Sequence, residues 1–591
     1  MKRGITVLRY AFQNIYTYRV EYVRTFIWVR LLQAIVFVPM TSLLFYCMYT
    51  WTGFHAITEH NIVKFLLHPY AIILLAIWLL LVLLCIYYEL GFYFLQAYYQ
   101  QKGMPYTFAI IVERLNRKAL YFFSAQSLLL VLYLIVLIPL AAFLLPVSLT
   151  QQLQLPAFIV DELMHSGSGK AMYTIAIIVL GFVSIRLLFT LPFFIIHPHL
   201  TIWASIVQSW HFSRKRLAET VLLLAAVLLV YIVVAFVSVI MLFLPLILIE
   251  RIVPAAALVV AALTLTALEV LLIMMFTLLQ ALFSHVIVSV LYGHAHYFSV
   301  EQKEDHIRTT YRKLIRRVLP IVLLVVSIVN GVSLAASIYA PSTLVIAHRG
   351  FIEKGVENTI SSLVASAEAG ADVVEIDIQQ TKDGRFVVFH DATLNRLANR
   401  SDAVYHLTLE QLTSITVSAD GLSDTIPSLD DMLERAEELG VKLLVEVKTH
   451  GYETDDFLQR LVNQLEEHRV LHTVYVQSLN NDLMEELEHL EPRVKTGSVY
   501  AFHTGKLPST TTDFYAIEDS SVDSSLIDEA KRIGKPLFVW TVNSDRKLQR
   551  YLEQNVDGLI TNHPDVAATL RSDNDDATFF TRILHRLPIV W

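Results

Sequence analysis

Acids and imidazoles crowd the stretch from Leu344 to Arg396. Glu375 and Asp377 lie two apart in the apolar run Val373–Ile378, and residues two apart in a strand point to one face. His348 ends an earlier apolar run that starts at Leu344, and His390 follows a hairpin signal at Asp383-Gly384. With Asp383 and Gly384 as a two-residue loop, Lys382 pairs with Arg385 and His390 falls opposite Asp377, on the acids' face. A third acid, Glu446, stands in the run Lys442–Val447, expected beside Val373–Ile378. Three hard oxygen donors on two strands suit one Mg2+ or Ca2+ and suit zinc poorly. The alternative is that these acids form plain ion pairs with Arg349 and Lys448. Two imidazoles beside such a cluster titrate near working pH and can take and give a proton. Arg349 can grip a phosphate bidentately, and Lys448, which shares Glu446's strand face, offers a point charge. Together these types and spacings describe metal-assisted acid–base chemistry.

Short β runs alternating with helical stretches must position these groups. Eight runs follow Pro341, at 344–348, 373–378, 442–447, 473–477, 494–498, 514–517, 537–541 and 557–561, with 386–389 as a hairpin arm. Eight strands with intervening helices predict a TIM-type (β/α)8 barrel over 341–571, whose sites lie at the carboxyl ends of the strands. Trp540 ends one such strand, where its ring either walls the substrate or packs the core. An insertion at 392–441 carries two acid-rich helix starts, with Ser428 as an N-cap. Gly370 reads as a helix C-cap before the second strand. The tail 572–591 is acidic (Asp573, Asp575, Asp576) and then apolar to Trp591, suited to docking on the barrel or touching a lipid leaflet.

Residues 1–340 have another character. Of the whole chain 55% is hydrophobic, and the excess sits here, in apolar runs longer than the ~20 residues that span a bilayer. Seven spans are expected, near 27–48, 70–97, 122–149, 172–196, 218–247, 255–291 and 318–340; the sixth is long enough to split in two. Loop cations alternate. Lys2, Arg3, Arg9, Arg19 and Arg24, then Lys102 to Lys118, Arg214 to Arg216 and Lys303 to Arg317 mark one side, and only Lys64, Lys170 and Arg251 mark the other. The positive-inside bias places the N-terminus in the cytoplasm and everything after the seventh span outside the cell membrane. Arg30, Glu89, Arg186 and Glu269 fall within spans, where a charge needs a partner or lines a path. Residues 1–25 interleave aromatic and basic residues, as an interfacial helix or a plain flank does.

Net charge is about +11 over residues 1–340 and about −18 over 341–591, so the outer domain is unsuited to nucleic acid. The two cysteines, Cys47 and Cys85, lie in spans, which leaves the barrel without a disulfide or a cysteine metal cluster. No P-loop, GxSxG, HExxH or CxxC occurs.

HRG at 348–350, ENT at 357–359, EID at 375–377 with TKDG and VFHD after it, EVK at 446–448 and WTVN at 540–543 come in the order seen in glycerophosphodiester phosphodiesterases. The stretch 343–569 resembles that family, in a membrane-anchored form. Two positions depart from its pattern: Val356 replaces the proline before ENT, and Thr561-Asn562 replaces a Thr-Asp. The resemblance implies the same barrel and metal-dependent release of sn-glycerol 3-phosphate and an alcohol from a glycerophosphodiester. It implies Glu375, Asp377 and Glu446 as metal ligands and His348 and His390 as general acid and base, with the order between them open. Glu357 and Asn358 are expected to fix the first loop and touch substrate, alongside Arg349, Lys448 and Trp540. A cyclic phosphate formed by the substrate's own glycerol hydroxyl is the implied route. A lipid-derived substrate such as a lysophospholipid, or a membrane-tethered polyglycerophosphate, is the alternative. A ligand-binding barrel on a receptor or transporter is a remote one.

Overall fold

A computed structural model describes residues 2–54, 56–58, 61–124, 126–144, 167–292, 307–336, 342–574 and 578–586. The ends of the third and seventh expected spans (145–149, 337–340), Lys303, Asp575, Asp576 and Leu587 to Trp591 lie outside the described residues.

The amino-terminal part is helical. α1 (Lys2–Thr17) lays Val7 and Ala11 against the bundle. Six helices among the described residues are long and apolar enough to cross a membrane: α2 (Arg19–Thr52), α3 (Pro69–Gln101), Gly169–Ile196, Leu217–Ile252, Pro254–Tyr292 and Arg316–Ala335. The third expected span is the helix Gln126–Leu144. The sixth is not split: Ala257–Tyr292 is one helix. Each charge expected within a span has a partner. Arg30 pairs with Glu89 at 2.9 Å, and Glu89 also accepts from Gln33 and Gln280, at 2.8 Å each. Arg186 donates to the Trp210 carbonyl and lies over its ring, and Glu269 accepts from Asn330 at 3.2 Å. Hydrogen-bonded partners lower the cost of such groups in an apolar bundle.

All eight expected barrel strands form. They are β2 (Leu344–Ala347), β3 (Val373–Gln380), β7 (Lys442–Val447), β8 (Tyr475–Ser478), β9 (Lys495–Tyr500), β11 (Phe514–Glu518), β12 (Leu537–Trp540) and β13 (Gly558–Thr561). Each is parallel to the next, and β13 pairs with β2, which closes the barrel. Strand alternation builds it in layers. Val374, Ile376 and Ile378 face the outer helices with Leu443, Val445 and Val447. Val373, Leu444, Phe514, Phe538, Ile346 and Ile560 fill the interior. Two residues further along these strands come Glu375, Glu446 and His348, above that apolar plug.

The hairpin register differs from the expected one. β4 (Phe386–Val388) pairs Ile378 with Val388 and Gln380 with Phe386, one residue out of step with the count from Asp383-Gly384. Thr381 donates its N–H to the Arg385 carbonyl, so Lys382, Asp383 and Gly384 form a three-residue loop with Gly384 at φ +72°. Phe389, not His390, donates to the Asp377 carbonyl. The insertion adds a hairpin, β5 (Thr416–Ala419) with β6 (Leu422–Thr425), that the sequence did not suggest. Ser428 caps Leu429–Leu439, accepting from Asp431 N at 3.1 Å, a contact worth about 1 kcal/mol. Gly370, at φ +82°, ends its helix in the left-handed conformation expected there.

The two parts touch in two places. β1 (Ala56–Thr58), in the loop between α2 and α3, pairs antiparallel with β10 (His503–Gly505) beyond the carboxyl end of β9. The tail helix Phe579–Arg586 buries Ile583 against Phe243, Leu246, Leu265 and Leu334, and Glu250 accepts from the Phe579 N–H at 2.5 Å. The described part of the tail thus docks on the helical part, and it also touches the barrel helix Asp545–Glu553. Ile57 lies opposite Thr504, and directly opposed Cα atoms about 4.5–5.5 Å apart suit a disulfide. With Cys47→Ser and Cys85→Ser as background, Ile57→Cys plus Thr504→Cys is expected to cross-link on mild oxidation, read by thiol titration and by gel mobility after cleavage between the two parts. Two thiols that stay titratable would contradict this pairing.

Candidate active site

The turn after β2 is built around His348-Arg349-Gly350. Arg349 sits at φ +56° and Gly350 at φ +81°; a Cβ on Gly350 would come within 2.9 Å of the Ser362 backbone carbon. This turn aims the Arg349 N–H back at Glu375 Oε2, 2.7 Å away. Asn358, also left-handed at φ +58°, donates Nδ2 to Asp377 Oδ2 at 2.8 Å and accepts from the Asp377 N–H at 2.9 Å. Asn358 is therefore a clamp on Asp377.

Asp377 and Glu446 are register partners on β3 and β7. Ligand oxygens of Glu375, Asp377 and Glu446 all lie within 4.8 Å of one another. Arg349 Nε approaches Asp377 at 3.6 Å and Lys448 Nζ at 3.2 Å, and Lys448 also pairs with Glu446. The ion pairs of the alternative reading are thus present, but two cations face three carboxylates, and Arg349 is shared with Glu357 at 3.2 Å. Burial raises the Glu375 carboxyl well above the usual range, and the charges of Asp377 and Glu446 push it further. Burial also opposes ionisation of Asp377, yet Lys448, His390 and Arg349 hold it well below that range. A buried, all-oxygen set with one carboxylate left over fits a hard divalent cation.

His348 and His390 flank the acids in different settings. His348 Nδ1 lies 2.8 Å from Asn562 Oδ1, which only accepts, so Nδ1 carries the hydrogen and Nε2 the lone pair. Burial and then the Arg349 charge push this imidazole down to about 3, so it is neutral at ordinary pH. His390 Nδ1 donates instead to Asp391 Oδ1 at 2.8 Å.

Several groups in the site escaped the sequence reading. Arg396 donates to both Glu357 oxygens at 2.6 and 2.7 Å and to both Asp391 oxygens at 2.9 and 2.8 Å, tying the two loops together. Burial would raise Glu357, but the Arg396 hydrogen bonds and the Arg349 charge hold it at about 2. Gln477 donates to Glu446 Oε2 at 2.9 Å. Glu518 ends β11 beside Trp540 on β12, raised by burial, with Oε1 buried and without a hydrogen-bond partner. Asp391 adjoins His390 within VFHD and was within reach of the sequence. Arg396 follows Asp391 by five residues in the same loop, whereas Gln477 and Glu518 are brought in by strand pairing, β8 with β7 and β11 with β12. Trp540 packs partly buried against the interior cluster at the strand end.

Residues 348–566 match the glycerophosphoryl diester phosphodiesterase family, and residues 8–332 match the membrane domain of glycerophosphoryl diester phosphodiesterase. A glycerophosphodiester phosphodiesterase of Caldanaerobacter subterraneus is 28% identical over 240 residues, covering 39% of this chain and 97% of the relative. One of Bacillus altitudinis is 28% identical over 242 residues, covering 39% and 99%. A solved phosphodiesterase of Oleispira antarctica, in complex with the product sn-glycerol-3-phosphate, aligns over 38% of this chain and 96% of its own, with 23% identity and a TM-score of 0.36. The membrane-domain match alone spans more than half of the 591 residues. The chain belongs to the glycerophosphodiester phosphodiesterase family, as a phosphoric diester hydrolase that carries a multi-pass membrane domain.

Proposed function

We propose that this protein hydrolyses glycerophosphodiesters on the outer face of the cell membrane, releasing sn-glycerol 3-phosphate and an alcohol. The observation that carries this reading is the convergence of Glu375, Asp377 and Glu446 between two imidazoles with different partners. Glu375, Asp377 and Glu446 would hold one Mg2+ or Ca2+, which would supply positive charge to the phosphoryl oxygens and lower the pKa of the attacking hydroxyl. Arg349 and Lys448 fix the phosphoryl group by charge. His348 is the base: Nε2 takes the proton of the substrate's free glycerol hydroxyl as that oxygen attacks phosphorus. His390, held by Asp391 in the form that can carry a second proton, donates to the departing alcohol oxygen. The resulting cyclic phosphate is opened by water with the roles reversed, which restores both histidines. Trp540 and the free Glu518 oxygen flank the glycerol from the β11–β12 side.

Orientation is supported twice. Loop cations place the N-terminus inside. Independently, the β1–β10 pairing keeps the α2–α3 loop and the barrel on one face, so an even number of helices must cross between them. Five of the six crossing helices follow that loop. Gln126–Leu144, 19 residues or about 28 Å at 1.5 Å per residue, is the sixth crossing and brings the total to seven.

Four outcomes are expected. In intact cells, external protease removes the barrel while the 308–317 segment stays protected; a protected barrel with that segment cut reverses the orientation. Chelation abolishes turnover and Mg2+ or Ca2+ restores it, whereas full activity in metal-free protein excludes the metal. His348→Ala and His390→Ala each lower kcat/KM by about 10² to 10⁴ on a natural diester. A p-nitrophenyl diester, whose leaving group needs no proton, rescues only His390→Ala; rescue of His348→Ala instead exchanges the roles. In the same assay Asn562→Asp puts a carboxylate against Nδ1, raises the His348 pKa, and moves the acid limb of the pH profile upward.

A further inference from the structure

A cavity of about 970 Å³ lies between the α2–α3 loop and the barrel. Phe54, Thr58 and Asn61 of the loop form one wall, and Thr449, Asn481 and Tyr500 line the other. It opens from the carboxyl ends of β7, β8 and β9: Thr449 directly follows Lys448, and Tyr500 ends β9. Round the barrel mouth the cavity therefore adjoins Lys448 at the end of β7 on one side and Glu518 with Trp540, at the ends of β11 and β12, on the other. A phosphodiester has two arms, and if the glycerol takes the Trp540 side, the cavity is where the other arm extends.

We propose that the cavity receives the leaving-alcohol arm and that this arm is an uncharged, hydroxyl-rich group, a polyol or sugar, a reading that rests on the diesterase function above. Three observations select this chemistry. The volume lies at the upper end of the roughly 300–1,000 Å³ of small-molecule sites, far more than a small amino alcohol fills. The lining is rich in amides and hydroxyls (Asn61, Asn480, Asn481, Thr58, Thr449, Ser509) beside the rings of Phe54 and Tyr500. Asn481 Oδ1 is buried without a hydrogen-bond partner, and a substrate hydroxyl would satisfy it. Among the lining residues Lys506 is outnumbered by Asp482 and Glu529, which disfavours a polyanionic chain. The membrane domain then supplies part of the substrate site, and its α2–α3 loop selects substrates.

The test uses the purified full-length protein in lipid nanodiscs with three diesters: glycerophosphoinositol, glycerophosphoethanolamine and a short polyglycerophosphate. The readout is the ratio of kcat/KM between the inositol and ethanolamine diesters. Asn481→Leu and Phe54→Ala are each expected to lower that ratio, Asn481→Leu by about tenfold, as for one lost hydrogen bond to a buried group. An unchanged ratio in both variants overturns the subsite while leaving the diesterase intact. Polyglycerophosphate cleaved faster than the inositol diester overturns the uncharged assignment. Wild-type protein that hydrolyses none of the three overturns the diesterase reading, and the subsite with it.

Discussion

Repulsion among Glu375, Asp377 and Glu446 is the constraint around which the barrel mouth is arranged. Two like charges 4 Å apart cost about 4 kcal/mol even at an effective dielectric of 20. Three such contacts rival the roughly 5–15 kcal/mol by which a domain is stable. The surroundings answer with charge and with dipoles. Lys448 sits between Asp377 and Glu446, the Arg349 N–H meets Glu375, and Asn358 and Gln477 donate to the other two. Glu375, raised first by burial and then by the charges of Asp377 and Glu446, is the carboxyl that accepts from the Arg349 backbone N–H. A divalent cation would relieve the same repulsion.

The two histidines beside the acids differ through their partners. Both imidazoles use Nδ1 for a structural bond, His348 with Asn562 and His390 with Asp391. Burial and then the Arg349 charge keep the His348 ring neutral although its Asn562 hydrogen bond works the other way, whereas His390 is bonded to a carboxylate, Asp391. Arg396 bonds both Asp391 and Glu357, which ties the loops after β2 and β4 together. The Asn at position 562 still gives His348 Nδ1 a hydrogen-bond partner.

The helical part is more than a tether. A strand from its first loop extends to the barrel mouth through β10, and the helices Leu217–Ile252 and Ala257–Tyr292 receive the tail through Ile583 and Glu250. The two contacts hold the barrel by an internal loop near residue 504 and by its tail.

What the sequence determined by itself were the features governed by local periodicity. Alternation along 373–378 and 442–448 put Glu375, Asp377, Glu446 and Lys448 on one face, because neighbouring side chains in a strand point opposite ways whatever surrounds them. Seven apolar runs and eight β runs were legible for the same reason, and so was the Ser428 cap. Register was not: counting outward from Asp383-Gly384 was one residue out, since Gly384 takes the left-handed step of a three-residue loop and a shift of one reverses every facing. His390 reaches the acids from the bend beyond β4 rather than from the strand. Tertiary pairing decided the rest. Barrel closure brought Asn562, just after the last strand, to His348, just after the first. The register of neighbouring strands set Gln477 beside Glu446 and Glu518 beside Trp540, and a separate β pairing joined a loop near residue 57 to one near residue 504. Each partner lies in another segment of the chain, and no local pattern encodes which segments meet or in what register.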